Sequence, residues 1–317
     1  MTASGTLIDR RGILAGLSAA AASLTTRPAG AAPFFRRHHL VMGVQLYTVR
    51  AEAEKDLPGV LGALATIGYR SVELAGLLGR TAREVRAALD GSGLRCPSVH
   101  FQPRTRGTDL SFAGDLTLMA DTLHTIGADT AVVSIPYIPD RLWPSAPRGG
   151  DLPAILQQMT LDDWKEGADY LNSKAALLRS QGIRLGYHNH NVEFAALGDT
   201  TPMEVLLAHT DPRLVTFELD VGWAASAGVD PVALLGKHPE RFSMMHVKDT
   251  KPITKPDFAM VQQSTEVGHG IVEWRQVLPA AYRAGVRRFF VEQEPPLDHG
   301  GIAAVRASYD YLVKLDI

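Results

Sequence analysis

Eight short apolar runs alternate with helix-like stretches along this 317-residue chain, and that alternation narrows its fold more than any other feature. The runs occupy residues 40–49, 70–75, 95–102, 130–137, 184–191, 215–221, 242–249 and 288–294. Each is of strand length, and several follow a glycine stop, as at Gly68, Gly93, Gly127, Gly182 and Gly285. The helices between them announce their starts. Thr81 and Glu84 have capping-box spacing ahead of a helix halted by Gly91-Ser92-Gly93, and Thr160 with Asp162 and Asp163 opens a long helix reaching Ser180. Pro202, Pro231 and Glu273 stand near the first turns of three more. Strands alternating with helices make right-handed βαβ units and a parallel sheet. Eight of them predict a closed (β/α)8 TIM barrel, a single α/β domain over residues 40–317, close to the roughly 250 residues usual for this architecture. An open doubly wound sheet is the competing fold. It commonly carries a G-x-G-x-x-G turn after its first strand, and none is present here.

The chemistry sits at the ends of those runs. RLGYHNHN, VTFELDVGW, FSMMHVKD and RFFVEQEP each place two ionisable groups two residues apart: His188 and His190, Glu218 and Asp220, His246 and Lys248, Glu292 and Glu294. Positions i and i+2 of a strand share a face, so each run aims a polar pair one way. Burying such groups alone costs several kcal/mol each, so they are expected to be paired or bound to metal. Catalytic groups of a barrel gather at the C-terminal strand ends. These pairs fall there, together with Gln45 and Tyr47 of the first run, Glu73 of the second, and His100 and Gln102 of the third. The irregular insert 136–160, with Tyr137, Arg141, Trp143 and Arg148, follows the fourth run and is expected to fold over the same mouth.

Residues 1–31 read as a twin-arginine-type export signal: Arg10-Arg11, an apolar alanine-rich stretch from Ile13 to Leu24, and a small-residue cleavage pattern at Ala29-Gly30-Ala31. Asp9 stands where that motif usually has Ser or Thr. The apolar stretch is shorter than the about 20 residues a membrane span needs. The mature chain is therefore expected in the periplasm without a stable membrane anchor, with residues 32–39 as a short linker. Cleavage removes Arg10, Arg11, Arg27 and Asp9 and takes the formal net charge from −2 to −4. No basic patch stands out, so nucleic acid is not an expected partner. The single cysteine, Cys96, excludes an internal disulfide and leaves stability to the hydrophobic core. A homo-oligomer stays open, since nothing in the sequence decides it.

In order along the chain, GVQLYTVR, SVELAG, GYHNHNVEF, FELDVGW, MHVKD and VEQE resemble the xylose-isomerase-like barrels, the superfamily of sugar isomerases and epimerases, inosose dehydratases and relatives. The likeness runs from about Leu40 to the C-terminus and is specific for the superfamily, not for the substrate. It implies one divalent ion, manganese first with cobalt or zinc as alternatives, held at the ends of strands five to eight. By motif, Asp220, His246 and Glu292 match three of its ligands. The fourth position departs from the family pattern: members often read Glu-Asn-His there, and here His188 stands in the glutamate's place. Either His188 binds the ion or Glu193, five residues on, reaches back to it. A His/Asp/His/Glu set suits manganese, cobalt or zinc.

The expected reaction is proton transfer next to a sugar carbonyl, with the metal acting as Lewis acid for an enediolate. Glu292 or Glu294 on one side and His190 on the other are the candidate bases, and Lys248 is the candidate donor to the developing oxyanion. Gln45, Tyr47, Glu73, His100, Trp143 and Trp223 are candidate substrate contacts, the tryptophans offering a face to the apolar side of a sugar ring. Glu218, deeper than Asp220, reads as a partner orienting a histidine. Reprotonation of the intermediate gives isomerisation or epimerisation; loss of a β-substituent gives dehydration or glycoside cleavage. A neutral sugar or keto-sugar isomerase/epimerase is the first expectation, because no phosphate-binding loop is evident. A 3-keto-glycoside lyase or hydratase, or an inosose-dehydratase-like enzyme, is the alternative. Two other classes are weighed. The acidic charge counts against a nuclease-like relative, and the joint presence of Asp220, His246 and Glu292 counts against an exported carbohydrate-binding protein without catalysis.

Overall fold

The computed structural model describes residues 32–105, 107, 109–143 and 152–317. All eight runs form strands: β1 (Met42–Gln45), β2 (Ser71–Ala75), β3 (Arg95–Phe101), β4 (Thr130–Val133), β5 (Arg184–His188), β6 (Val215–Asp220), β7 (Phe242–Val247) and β8 (Arg288–Val291). Every neighbouring pair is parallel, and β1 pairs with β8 to close the barrel. Most strands stop short of the runs that announced them. β4 ends at Val133 and β8 at Val291, because the residues beyond leave the ladder and enter the loops around the mouth.

The helices begin where their caps predict. Ala82–Ser92 opens on the Thr81–Glu84 capping box and closes on Gly93 in the left-handed conformation. Leu161–Arg179 opens on a second box in which Asp163 takes the glutamate's part. Strand residues of one parity, among them Leu74, Val99, Leu185, Leu219 and Val247, join the apolar core shared with the helices. Residues of the other parity fill the barrel. A Cβ on Gly43 would lie 2.5 Å from the Phe290 ring, so glycine there makes room for the phenylalanine. Phe290, Met244 and Val132 plug the interior beneath a polar layer, as barrel interiors require. Register then sets that polar layer: Gln45 lies opposite Glu73, Ala75 opposite His100, His188 opposite Glu218, and Asp220 opposite His246.

Residues 32–39 are not a linker. Phe34–Arg37 forms a helical turn whose two phenylalanines are buried, both packing edge-on against Phe289, and the Phe34 N–H donates to Leu315 O at 3.1 Å. Adjacent aromatics in a short segment are the sign of docking, where a linker would be polar. The export signal read over residues 1–31 lies outside the described residues. Among the described residues no helix is long and apolar enough to cross a membrane. After β7 the chain makes a long loop, pinned at its ends by a small antiparallel ribbon of Asp249–Thr250 and Ser264–Thr265.

Candidate metal and proton-transfer site

In the segment His188-Asn189-His190-Asn191 the two residue types divide the work. His188 and His190 face the mouth with ring centroids 5.0 Å apart. The asparagines hold backbone: Asn189 Oδ1 accepts the Asp220 N–H at 3.0 Å, and Asn191 Oδ1 accepts the Met260 N–H at 2.9 Å. Asp220 is both cap and candidate ligand, one role per oxygen. Its Oδ1 accepts the Trp223 N–H at 2.8 Å and so starts the short helix Val221–Ser226. Its Oδ2 lies 3.6 Å from His246 Nδ1, 3.0 Å from Lys248 Nζ and 4.0 Å from His188 Nε2. Glu292 lies 2.9 Å from His246 Nδ1 and 2.7 Å from Lys248 Nζ. Asp220, His246 and Glu292 thereby offer ligand atoms within 4.8 Å of one another.

A second carboxylate layer lies beneath. Glu218 Oε2 meets three imidazoles, His100 Nε2 at 2.8 Å, His246 Nε2 at 3.1 Å and His188 Nδ1 at 3.2 Å. Glu73 Oε2 meets His246 Nε2 at 2.8 Å, His100 Nε2 at 3.0 Å and Gln45 Nε2 at 2.9 Å. His188 and His246 each turn one nitrogen down to Glu218 and the other toward Asp220. A histidine held this way has its ring plane and tautomer fixed by the carboxylate behind it.

Burial penalises every charge here, and the neighbours decide which survive. Burial works against the Lys248 ammonium, but Asp220, Glu292 and Glu294 hold its pKa well above the ordinary lysine value. His246 is raised, against burial, by Glu218 and Glu292, and His100 is pushed up to about 9 by Glu73 and Glu218. Glu292, despite burial, is held well below the carboxylate range by Lys248 and His246. Glu218, against burial and the neighbouring Glu73, is drawn down to about 2 by its three histidines. Three groups move toward neutrality. Burial and then His246 depress His188, burial and then Lys248 depress His190 to about 3, and burial raises Glu294, with Lys248 opposing and Glu292 adding to the rise. Carboxylate atoms of Asp220 and Glu292 converge with imidazole atoms on one point, a donor set that fits a divalent cation.

A cavity of about 960 Å³ opens above this centre, walled by Gln45, Tyr47, His100, His190, Trp223 and Glu294, among others. Four expectations are corrected by the geometry. Glu193 does not join the converging atoms: its Oε1 accepts from Tyr187 Oη at 2.7 Å and its Oε2 accepts the His190 N–H at 3.0 Å. The tight turn Val192–Phe194 folds it back under β5, where burial raises its pKa to about 7. Glu73 is fully buried under His100 and His246, beneath the reach of a substrate. Trp143 packs against the Arg104 guanidinium, 5.1 Å away, and Tyr137 stacks on Tyr170, so the described part of the insert 136–160 backs the wall and does not cover the mouth. Lys248 is fully buried with its ammonium engaged by three carboxylates, which makes it a brace for them and not a free oxyanion donor. Sequence spacing gave no sign of Gln262, which comes from the irregular loop after β7.

A closed barrel with an acid–imidazole centre at the C-terminal ends of four successive strands defines a class of (β/α)8 enzymes. Residues 61–315 match the xylose isomerase-like TIM barrel family, and the chain belongs to it. An inosose dehydratase from Geobacillus kaustophilus is 28% identical over 214 residues, which span 62% of this chain and 66% of that protein, just under two thirds of its length. The crystal structure of a sugar phosphate isomerase/epimerase from Parabacteroides distasonis is similar at 25% identity with a TM-score of 0.64, covering 92% of this chain and 96% of that one. The 3-keto-D-glucoside 4-epimerase of E. coli shares the fold, with a TM-score of 0.60 and 14% identity over 86% of this chain and 98% of that one.

Proposed function

We propose that the protein is a metal-dependent sugar isomerase or epimerase that moves a proton on the carbon next to a carbonyl of a neutral sugar or keto-sugar. The observation that carries this reading is the convergence of Asp220, His246 and Glu292, with His188 Nε2 turned to the same point, beside a Glu294 that faces the cavity. A divalent ion there, manganese first and cobalt or zinc next, would polarise a carbonyl and its neighbouring hydroxyl as a Lewis acid. His188, not Glu193, completes the ligand set in this reading, because Glu193 is spent on Tyr187 and the His190 backbone.

The remaining work belongs to side chains. Glu294, raised by burial and lining the cavity, takes the substrate proton. Lys248 donates to Glu294 at 3.0 Å and fixes where that carboxylate points. His190, held uncharged, meets the substrate from β5 and exchanges a proton with its hydroxyl. Trp223 and Tyr47 supply aromatic wall. A second reading, elimination of a β-hydroxyl after the same proton removal, draws on the dehydratase among the relatives; it differs in that the proton taken up by Glu294 must pass to the leaving oxygen, which departs as water. The leader read over residues 1–31 would place either reaction in the periplasm.

The test is metal content by elemental mass spectrometry on the wild type, His188→Ala and Glu193→Ala, joined to deuterium uptake from heavy water into a 3-keto-glucoside. Bound metal in the wild type and Glu193→Ala, its loss in His188→Ala, and deuterium beside the carbonyl are the expected results. A wild type that takes up no manganese, cobalt or zinc overturns the reading in favour of a binding protein.

A further inference from the structure

Three side chains on the cavity wall, His190 at Nδ1, Trp223 and Gln262, bury polar atoms that have no hydrogen-bond partner among the described residues. Gln262 buries both Oε1 and Nε2 in this way, and Trp223 buries Nε1. A buried donor or acceptor left unmet costs about 1–3 kcal/mol, so folded proteins keep few of them without a use. Four such atoms belong to residues that line one cavity, and the three on Gln262 and Trp223 have no part in the proposed proton chemistry. Gly222 is what lets them share it: a Cβ there would lie 2.5 Å from Gln262 Nε2 and 2.6 Å from the Lys248 stem. Glycine at that position allows the amide to settle across the chain beside Trp223, whose ring centroid is 5.0 Å from Lys248 Nζ.

Gln262 is also held in place. Asn191, itself fully buried, accepts the Met260 N–H at 2.9 Å and donates to Asp257 Oδ1 at 2.9 Å and to Val261 O at 3.4 Å. The ribbon of Asp249–Thr250 with Ser264–Thr265 closes the loop behind it. A residue anchored on both sides, with its buried amide unpaired at the wall of a cavity, is arranged for a ligand.

We propose that Gln262, with Trp223, determines specificity by binding a substrate hydroxyl away from the metal-ligating centre, so that the loop after β7 selects a polyhydroxylated substrate. The proposal rests on the sugar-binding reading given above. Its chemistry follows from the donor and acceptor inventory: the amide offers an acceptor and a donor, and the indole a donor. A hydroxyl both donates and accepts, so it satisfies the pair. A carboxylate or phosphate oxygen only accepts and would leave Gln262 Oε1 unmet; a methyl group would leave all three atoms unmet. A site of this kind rejects the analogue lacking the hydroxyl, because its own buried groups then stay unpaired.

The test is a tryptophan-fluorescence titration of manganese-loaded protein with methyl β-D-glucopyranoside and each of its monodeoxy analogues. It is run on the wild type, Gln262→Ala and Gln262→Glu, with metal content measured for each. The wild type is expected to bind the parent glucoside about tenfold more tightly than one particular analogue. Both variants should lose about that factor on the parent, match the wild type on that analogue, and keep their metal. The proposal is overturned if Gln262→Ala titrates like the wild type, if it weakens every sugar equally, or if the wild type holds metal yet binds no member of the series. Sugar binding with the expected Gln262 dependence, but equally strong without metal, supports the hydroxyl contact and strikes instead at the metal-dependent function.

Discussion

Lys248→Met separates charge from packing at the centre of the site. Lys248 is 0% exposed, and its Nζ lies 2.7 Å from Glu292 and 3.0 Å from both Asp220 and Glu294. Methionine keeps a similar unbranched stem and loses the ammonium. Removing one partner of a buried ion pair costs about 3–5 kcal/mol. Three carboxylates lose theirs at once, so the upper end applies to the metal-free protein. At about 2–4 °C per kcal/mol for a large domain, the melting midpoint should fall by about 10–20 °C. The pH dependence has a definite sign. Without Lys248, Glu292 loses the ammonium that holds its pKa down and Glu294 loses the one that opposes its rise, so the destabilisation is full at high pH and fades as they take up protons. The deficit is therefore larger at about pH 7.5 than at about pH 5.5. A divalent ion restores positive charge, so saturating manganese should raise the midpoint of the variant more than that of the wild type. Circular dichroism melts in chelator and in manganese, at both pH values, provide the measurement. A midpoint within about 2 °C of wild type in chelator at the higher pH, or a deficit that grows on acidification, would refute the charge-balance argument.

Glu218→Gln keeps the shape of the layer under the candidate metal ligands but removes the charge its three imidazoles share; manganese affinity should fall about 10–100-fold by competition with a fluorescent chelator, and an unchanged affinity would remove Glu218 from the site. Phe34→Ala should cost about 3–5 kcal/mol in denaturant unfolding, and a loss under about 1 kcal/mol would make residues 34–37 the linker their sequence position implies.

The barrel was legible because three independent signals agree along the chain. Caps such as Thr81 and Thr160, glycine stops such as Gly93, and apolar runs of strand length fall in the same alternation. The polar pairs were legible because the two-residue period of a strand survives to its last residues, and His246, Glu218 and Asp220 do share the interior face. Fine placement was not. Tyr187 and Glu193 find each other only because a tight turn follows β5, and spacing cannot show which of two nearby acids the turn folds back. Trp143 and Trp223 look alike as aromatic residues beyond strand ends, yet one backs onto Arg104 and the other lines the cavity. Asn189 and Asn191 were readable in principle: they alternate with the two histidines, and residues of the opposite parity must do something other than face the mouth. Gln262 was not readable, because its loop has no period and its anchor lies about seventy residues away in sequence at Asn191.

That anchor has a consequence for how the molecule can change. Two of the three bonds from Asn191 go to backbone atoms, the Met260 amide and the Val261 carbonyl, which every residue type carries. The third goes to Asp257, which also gathers the amides of Ala259 and Val261. The loop can therefore exchange nearly all of its side chains and keep its seat, as long as Asn191 and Asp257 remain. The barrel becomes a fixed socket and the loop an interchangeable part: if Gln262 binds substrate as proposed, one substitution there would redirect substrate preference without touching the acid–imidazole centre.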